Sequence, residues 1–340
     1  MLGKRRLGRT GISVSMLGFG GIPIMRVTQD EATAVIKRAL ERGIDFFDTA
    51  RGYGDSEKKI GTALATHAAK VVLASKSPKR TREEMLEDFN QSLSDLGIDV
   101  IDLYQVHCVN KADELATVMA PGGALEALEE LRSEGRVRFV GITSHNLGIL
   151  KQAIGTNRFD TIQVLYSFVE DGAGKEVIPL ALEKDLGVIA MKPLGGGCIE
   201  QCDVAIRYVL STPGVIAIPG MAAVDEVDRN VEAASDLRPL TAAELDDAER
   251  TRTELGKTFC RRCDYCQPCP KDIPIALMLH IDSIRKRVGE TFMRNEEYRD
   301  VLDKANGCDE CGQCEERCPF DLPVRDLIKE SRDALRQVLK

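Results

Sequence analysis

Phe46-Phe47-Asp48-Thr49-Ala50-Arg51-Gly52-Tyr53-Gly54 opens on two phenylalanines and turns polar at once. It reads as a buried strand that delivers a carboxylate to its C-terminal end, with a phenol just beyond. Working outward, strands are expected over 16–20, 46–49, 71–76, 101–107, 139–144, 161–167, 188–193 and 215–219. Helical patterns alternate with them over 30–42, 56–65, 83–95, 124–133, 147–154, 175–184, 203–211 and 225–234. Asp30 is the expected N-cap of the first helix and Gly43 its stop. Eight β-α units over about 230 residues predict an α/β fold, the TIM (β/α)8 barrel. A Rossmann sheet is the weaker alternative, because no G-x-G-x-x-G follows a strand. A further amphipathic helix over 242–255 leads to a cysteine-rich tail, so the barrel is expected over 1–256 and a second domain over 257–340.

In such a barrel, chemistry belongs where strands end. Asp48 and Thr49 end the second expected strand, Lys76 the third and His107 the fourth, with Tyr53 following the second. Each alone has a plain reading as a surface charge or a satisfied buried group. Four groups able to move or steer protons at successive strand ends point instead to a site.

The bulk numbers narrow the class. Forty-six basic against 54 acidic residues give a net charge of −8 with no basic run, which argues against nucleic acid as a partner. Aromatic residues are only 5% and tryptophan is absent, so base stacking is also disfavoured. Met1-Leu2-Gly3-Lys4-Arg5-Arg6 leads into no apolar signal region, and the longest nearly apolar stretch, 214–224, is too short to span a bilayer. A cytoplasmic protein with no membrane partner is expected.

Eight of the 11 cysteines fall in two runs, Cys260-x2-Cys263-x2-Cys266-x2-Cys269-Pro270 and Cys308-x2-Cys311-x2-Cys314-x3-Cys318-Pro319. The second has the ligand spacing by which bacterial ferredoxins hold cubane clusters, the fourth cysteine reaching across to a partner cluster. Two 4Fe-4S clusters are therefore expected. Zinc is the rival, but zinc sites use separated cysteine pairs, whereas these ligands follow in unbroken succession. Disulfides do not suit the expected compartment. The 38 residues between Cys269 and Cys308 read as helix, over 281–288 and 296–304 with a lead-in from Pro274, and so resemble an α-helical ferredoxin module. By that analogy Cys260, Cys263 and Cys266 hold one cluster with Cys318, and Cys308, Cys311 and Cys314 hold the other with Cys269. Because the first run has two residues rather than three before its last cysteine, four ligands from one run stay open. Cys108, Cys198 and Cys202 are expected to be ordinary thiols.

Over roughly residues 3–235 the chain resembles the aldo-keto reductase family. The resemblance rests on Leu7-Gly8-Arg9-Thr10-Gly11, on Phe47 to Gly54, on Ser56-Glu57, and on Gly135-Arg136-Val137-Arg138-Phe139-Val140-Gly141. It implies a catalytic tetrad of Asp48, Tyr53, Lys76 and His107, all present. The residue types agree with the chemistry. A phenol can protonate the alkoxide left by hydride transfer if a neighbouring ammonium stabilises phenolate, with a carboxylate holding that ammonium and an imidazole orienting the substrate oxygen.

The resemblance also places Thr143, Ser144 and Gln163 at a nicotinamide carboxamide, Met191 where many members stack a tyrosine, and Asn230 at the adenine. Lys192 and Gly195-Gly196-Gly197 could meet the pyrophosphate, or form only a flexible loop. NADP-specific relatives place a lysine and an arginine where Gly220 and Glu226 stand here; NAD(H) is expected over NADP(H), with Arg229 the one nearby cation that could reverse the choice. The loop over 109–123 is expected to line the substrate pocket.

Three functions compete. One is an oxidoreductase interconverting a small carbonyl compound and its alcohol, with clusters in a structural or sensing role. The second is a redox adaptor passing electrons between the clusters and an external ferredoxin or a flavin. The third is a non-catalytic scaffold, which has no use for Tyr53 and Lys76 together. The complete tetrad favours the first.

Overall fold

The structure, a computed structural model, describes residues 2–65, 71–262 and 265–340. The chain forms two compact units: residues 1–195 with 200–240, and residues 196–199 with 241–340. The second takes in the helix Ala242–Gly256, which the expected division after residue 256 assigns to the barrel.

The first unit is an eight-stranded parallel sheet in sequence order: β3 Phe19–Gly20, β4 Phe46–Asp48, β5 Val72–Ser77, β6 Ile101–Val106, β7 Val137–Ser144, β8 Thr161–Leu165, β9 Gly187–Met191 and β10 Val215–Ile218. Parallel bridges Leu17↔Ala217 and Gly20↔Gly220 bring the first strand to the last, so the sheet curls into a near-closed barrel. A preceding hairpin, β1 Lys4–Arg6 with β2 Ser13–Ser15, contributes Leu7 and Val14 to the apolar cluster formed with Phe46, Ala74, Leu103, Ile189 and Ile216. A larger core packs the strands against helices α1 Gln29–Glu41, α2 Ser56–Leu64, α3 Arg82–Leu96, α4 Ala112–Met119, α5 Ala124–Ser133, α6 Leu147–Thr156, α7 Gly172–Glu183, α8 Cys202–Leu210 and α9 Val224–Ser235.

Several expected boundaries shift for identifiable reasons. Helix α1 is capped by Thr28, not Asp30: the Thr28 hydroxyl accepts from Glu31 N while Glu31 accepts from Thr28 N, a reciprocal cap that Asp30 cannot make from inside the first turn. The loop expected over 109–123 contains a helix, α4, because Leu115 and Val118 lie on one face and bury together. The strand expected to reach residue 193 stops at Met191, where Lys192 adopts a left-handed backbone (φ 54°).

The second unit is helical: α10 Ala242–Gly256, α11 Ile275–Met278, α12 Ile281–Val288, α13 Glu290–Met293, α14 Glu296–Asn306, α15 Gln313–Glu316 and α16 Val324–Val338. It contains an internal repeat, Cys269-Pro270-Lys271-Asp272-Ile273-Pro274-Ile275 against Cys318-Pro319-Phe320-Asp321-Leu322-Pro323-Val324. In both copies the aspartate takes a left-handed backbone, its N–H donates to the cysteine carbonyl, and the apolar residues flanking the second proline are buried as a helix begins. Among the described residues, no helix is long and apolar enough to cross a membrane.

Candidate active site

Side chains two apart on a strand share a face, so each inward apolar residue of the barrel is followed by an inward residue nearer the C-terminal mouth. Phe46 is followed by Asp48, Ala74 by Lys76, Leu103 by Gln105 and Ile189 by Met191. The register sets Lys76 beside Gln105 and Thr143 beside Gln163, which gathers a polar layer on an apolar floor. Gly141, paired with Gln105, leaves that amide room: a Cβ there would lie 2.9 Å from Gln105 Cγ and 2.3 Å from Thr161 Oγ1.

Within the layer, Lys76 Nζ donates to Asp48 Oδ1 at 2.6 Å and to the Thr49 carbonyl at 2.8 Å. Both side chains are buried. Gln105 Nε2 donates to Asp48 Oδ2 at 3.3 Å and to Gln163 Oε1 at 3.2 Å, and Gln163 Nε2 reaches Asp48 Oδ1 at 3.5 Å. Burial opposes charge on Lys76, yet the Asp48 field, the Tyr53 phenol and the Asp48 hydrogen bond outweigh it and hold the amine above its ordinary pKa. The lysine is thus a cation at neutral pH.

That cation lies 4.9 Å from the centroid of the Tyr53 ring. Tyr53 and His107 are half-buried and meet edge to face, centroids 5.7 Å apart at 82°. Burial first, then the positive charges of Lys76, Arg80 and Lys192, hold His107 well below the ordinary histidine pKa, so its imidazole is neutral at pH 7. All four expected tetrad residues therefore converge: a buried ion pair beneath a phenol and a neutral imidazole that open outward.

Of the residues expected at a nicotinamide, Gln163, Thr143 and Lys192 adjoin this group. Thr143 Oγ1 accepts from Cys108 N at 2.8 Å, and Ser144 Oγ donates to Asn110 Oδ1 at 3.0 Å while accepting from Asn146 N at 2.9 Å. Lys192 Nζ sits 3.3 Å from His145 Nε2, and half-buried Met191 ends its strand. Gly195, Gly196 and Gly197 follow with φ of 59°, 72° and 94°, and the Gly195 N–H donates to the Lys192 carbonyl at 2.9 Å. Gly220 is exposed. Glu226 Oε2 accepts from Ala222 N at 2.6 Å and Ala223 N at 3.2 Å, closing the first turn of α9, and its other oxygen is 3.9 Å from Arg26. Arg229 pairs with Asp225 at 3.0 Å. Asn230 is buried and accepts from the Cys202 thiol at 2.9 Å. The residues fit a nicotinamide in their donor set, with apolar Met191 in place of an aromatic face.

Sequence reasoning passed over Gln105, Asn110 and His145. Gln105 carried a signal, a lone amide two residues before His107 inside an apolar strand.

In the second unit, a cavity is lined by Cys266, Cys269, Cys308, Cys311 and Cys314 among Pro268, Pro270, Ile273 and Ile328. Thiols from both runs face one space, as crossing between motifs requires, and the donor set suits a cluster of iron and sulfide. Arg262, Glu310 and Gly312, lying between successive cysteines, have positive φ and tighten the turns that present the thiols. Cys260 is buried and its Sγ accepts from Arg262 N at 3.4 Å. Cys318 is half-buried, and Cys263 lies outside the described residues.

A proton-handling group at the C-terminal mouth of a parallel barrel, beside donors suited to a nicotinamide, defines the class of barrel oxidoreductases. The comparisons name the family: residues 16–203 match the aldo/keto reductase family and residues 259–323 the 4Fe-4S dicluster domain, so the chain belongs to the aldo-keto reductases and carries a C-terminal iron–sulfur domain. It is 27% identical to L-galactose dehydrogenase of Arabidopsis thaliana, covering 69% of this chain and 89% of that one. It is 28% identical to D-threo-aldose 1-dehydrogenase of a Pseudomonas species, covering 57% and 70%. Among solved structures, the holo form of aldo-keto reductase AKR11C1 from Bacillus halodurans aligns with a TM-score of 0.64 at 26% identity over 74% of this chain and 96% of that one. An aldo/keto reductase from Klebsiella pneumoniae, in complex with NADP and acetate, aligns with a TM-score of 0.63 at 25% identity over 74% and 95%.

Proposed function

We propose that the barrel interconverts a small aldehyde or ketone and its alcohol, using a nicotinamide, and that the second unit holds two 4Fe-4S clusters. The observation that carries the reading is the buried Lys76–Asp48 pair under the Tyr53 ring. The nicotinamide supplies or accepts the hydride. In the reducing direction Tyr53 gives its phenolic proton to the carbonyl oxygen as the carbon gains hydride, and the phenolate recovers a proton from solvent. Lys76 stabilises the phenolate, Asp48 keeps Lys76 charged and aimed, and neutral His107 donates a hydrogen bond to the substrate oxygen. Thr143, Ser144 and Gln163 would hold the nicotinamide carboxamide, Met191 would offer an apolar contact to its ring, and Lys192 would meet the pyrophosphate.

NADH is preferred over NADPH in this reading. Glu226 puts a carboxylate where a cation would be needed for a 2′-phosphate, Gly220 offers no charge, and Arg229 is already paired with Asp225. Asn230 would meet the adenine. Steady-state turnover of NADH and NADPH with a panel of aldehydes, measured anaerobically on protein with quantified iron and sulfide, tests both claims; no turnover with any carbonyl or alcohol removes the enzyme.

A second reading is favoured by one observation: Cys311, on the cavity, is exposed. A cluster held there reaches the surface, which suits electron exchange with a ferredoxin or another redox partner. In the crossed arrangement its ligands would be Cys308, Cys311 and Cys314 with Cys269, and those of the other cluster Cys260, Cys263 and Cys266 with Cys318. Bleaching of the cluster absorbance by NADH supports this role; bleaching only by an external reductant limits the barrel to its own chemistry.

A further inference from the structure

The Ser56-Glu57 pair takes no part in the chemistry above, yet Glu57 is a carboxylate with 2% of its side chain exposed. It is held from two directions. Ser75, the residue before Lys76 on β5, donates its hydroxyl to Glu57 Oε1 at 2.5 Å. Arg51, two residues before Tyr53, donates to Glu57 Oε2, and the same guanidinium nitrogen reaches Asp95 Oδ2 on α3 at 2.7 Å. The Arg51 backbone N–H in turn donates to the Lys76 carbonyl at 2.9 Å. Ser56 closes the turn: its hydroxyl accepts from Thr49 Oγ1 and donates to the Gly21 carbonyl, both at 2.8 Å, and its N–H donates to the Tyr53 carbonyl at 2.9 Å.

One carboxylate thus ties the strand that carries Lys76 to the loop that carries Tyr53. The loop's own backbone bonds, Tyr53 N–H to the Ala50 carbonyl and Ser56 N–H to the Tyr53 carbonyl, shape the turn, while Arg51 and Glu57 fasten it to the strand of Lys76. We infer that Glu57 is a positioning residue that sets the Tyr53–Lys76 separation through Arg51 and Ser75, an inference that rests on the oxidoreductase reading. Glutamine at this position keeps the shape and the Ser75 contact but loses the charge that draws in Arg51, while Asp95 still satisfies the guanidinium. The loop should then relax without unfolding the barrel, and displacement of a reacting group by about an ångström costs on the order of a hundredfold in rate.

The test compares Glu57→Gln, Tyr53→Phe and the double variant on the full iron–sulfur protein. Glu57→Gln is expected to lower kcat for carbonyl reduction by roughly tenfold to hundredfold with the nicotinamide KM unchanged. In the Tyr53→Phe background it should cost nothing further, because the group it positions is gone. Independently of turnover, the 13C ring resonance of Tyr53, assigned by its loss in Tyr53→Phe, should move in Glu57→Gln. Wild-type kcat with an unmoved resonance, or an equal loss in both backgrounds, overturns the inference. If the unaltered protein reduces no carbonyl, the oxidoreductase reading fails and the resonance alone decides the positioning claim. Should Glu57→Gln not fold, Ser75→Ala removes one anchor and should show the same pattern more weakly.

Discussion

Lys76 places its ammonium 4.9 Å from the centroid of the Tyr53 ring, although the two residues sit on different strand-loop units. Asp48, 2.6 Å from that ammonium, makes the cation tolerable inside the barrel. The phenol is half-buried while the ion pair is not exposed to water, so the charge acts on Tyr53 with little screening.

Tyr53→Phe removes the proton donor and leaves the apolar ring. Carbonyl reduction should fall by roughly a hundredfold to ten-thousandfold. Nicotinamide affinity, followed by fluorescence of the reduced cofactor, should stay as it was.

Asp48→Asn leaves Lys76 buried without its counter-charge. Breaking such a pair costs about 3–5 kcal/mol, so the variant should melt markedly lower as well as lose activity. Asp48→Asn combined with Lys76→Met should recover most of the stability and none of the turnover, which calorimetry and kinetics would separate.

His107 is held neutral by burial first and then by Lys76, Arg80 and Lys192, so its folded pKa lies below the ordinary 6.5. Between those two values the unfolded chain binds the extra proton, and stability therefore rises with pH up to about 6.5 and is lost as pH falls through that window. Denaturant melts followed from neutral pH down through and below 6.5 should show a slope that flattens in His107→Gln.

Glu226→Ala frees the N–H groups of Ala222 and Ala223 at the start of α9 and removes a negative charge from the expected ribose site. The ratio of kcat/KM for NADH over NADPH should drop by roughly tenfold. An unchanged ratio would detach Glu226 from cofactor choice and leave it a helix cap.

Cys269→Ser and Cys308→Ser each remove a thiol from the same cavity though they belong to different runs. Either change should lower iron content from about eight to about four atoms per chain under anaerobic reconstitution. Loss of different clusters in the two variants, seen by electron paramagnetic resonance, would rule out the crossed ligand arrangement.

Strand and helix order was legible because barrel strands are buried on both faces and read as apolar runs, and because local pattern sets their alternation. The polar cluster at the strand ends was legible for a related reason: Asp48, Lys76 and His107 interrupt those runs at or just past their C-terminal ends. The cysteine runs announced themselves by spacing, but their repeat through Asp272 and Asp321 was missed, since its meaning lies in backbone geometry rather than in composition. Helix α4 was hidden in a segment whose charges suggested a loop, until Leu115 and Val118 had a core to enter. Which groups touch is another matter. That Gln105 joins Asp48 to Gln163, and that Glu57 reaches Ser75 while it holds Arg51, depend on side chains that the closing of the sheet brings together. Residue type and spacing determine what chemistry a chain can bring to its strand ends; only the closing of the barrel decides which partner each buried charge finds, because that choice is made by three-dimensional distance and by the loss of water around it.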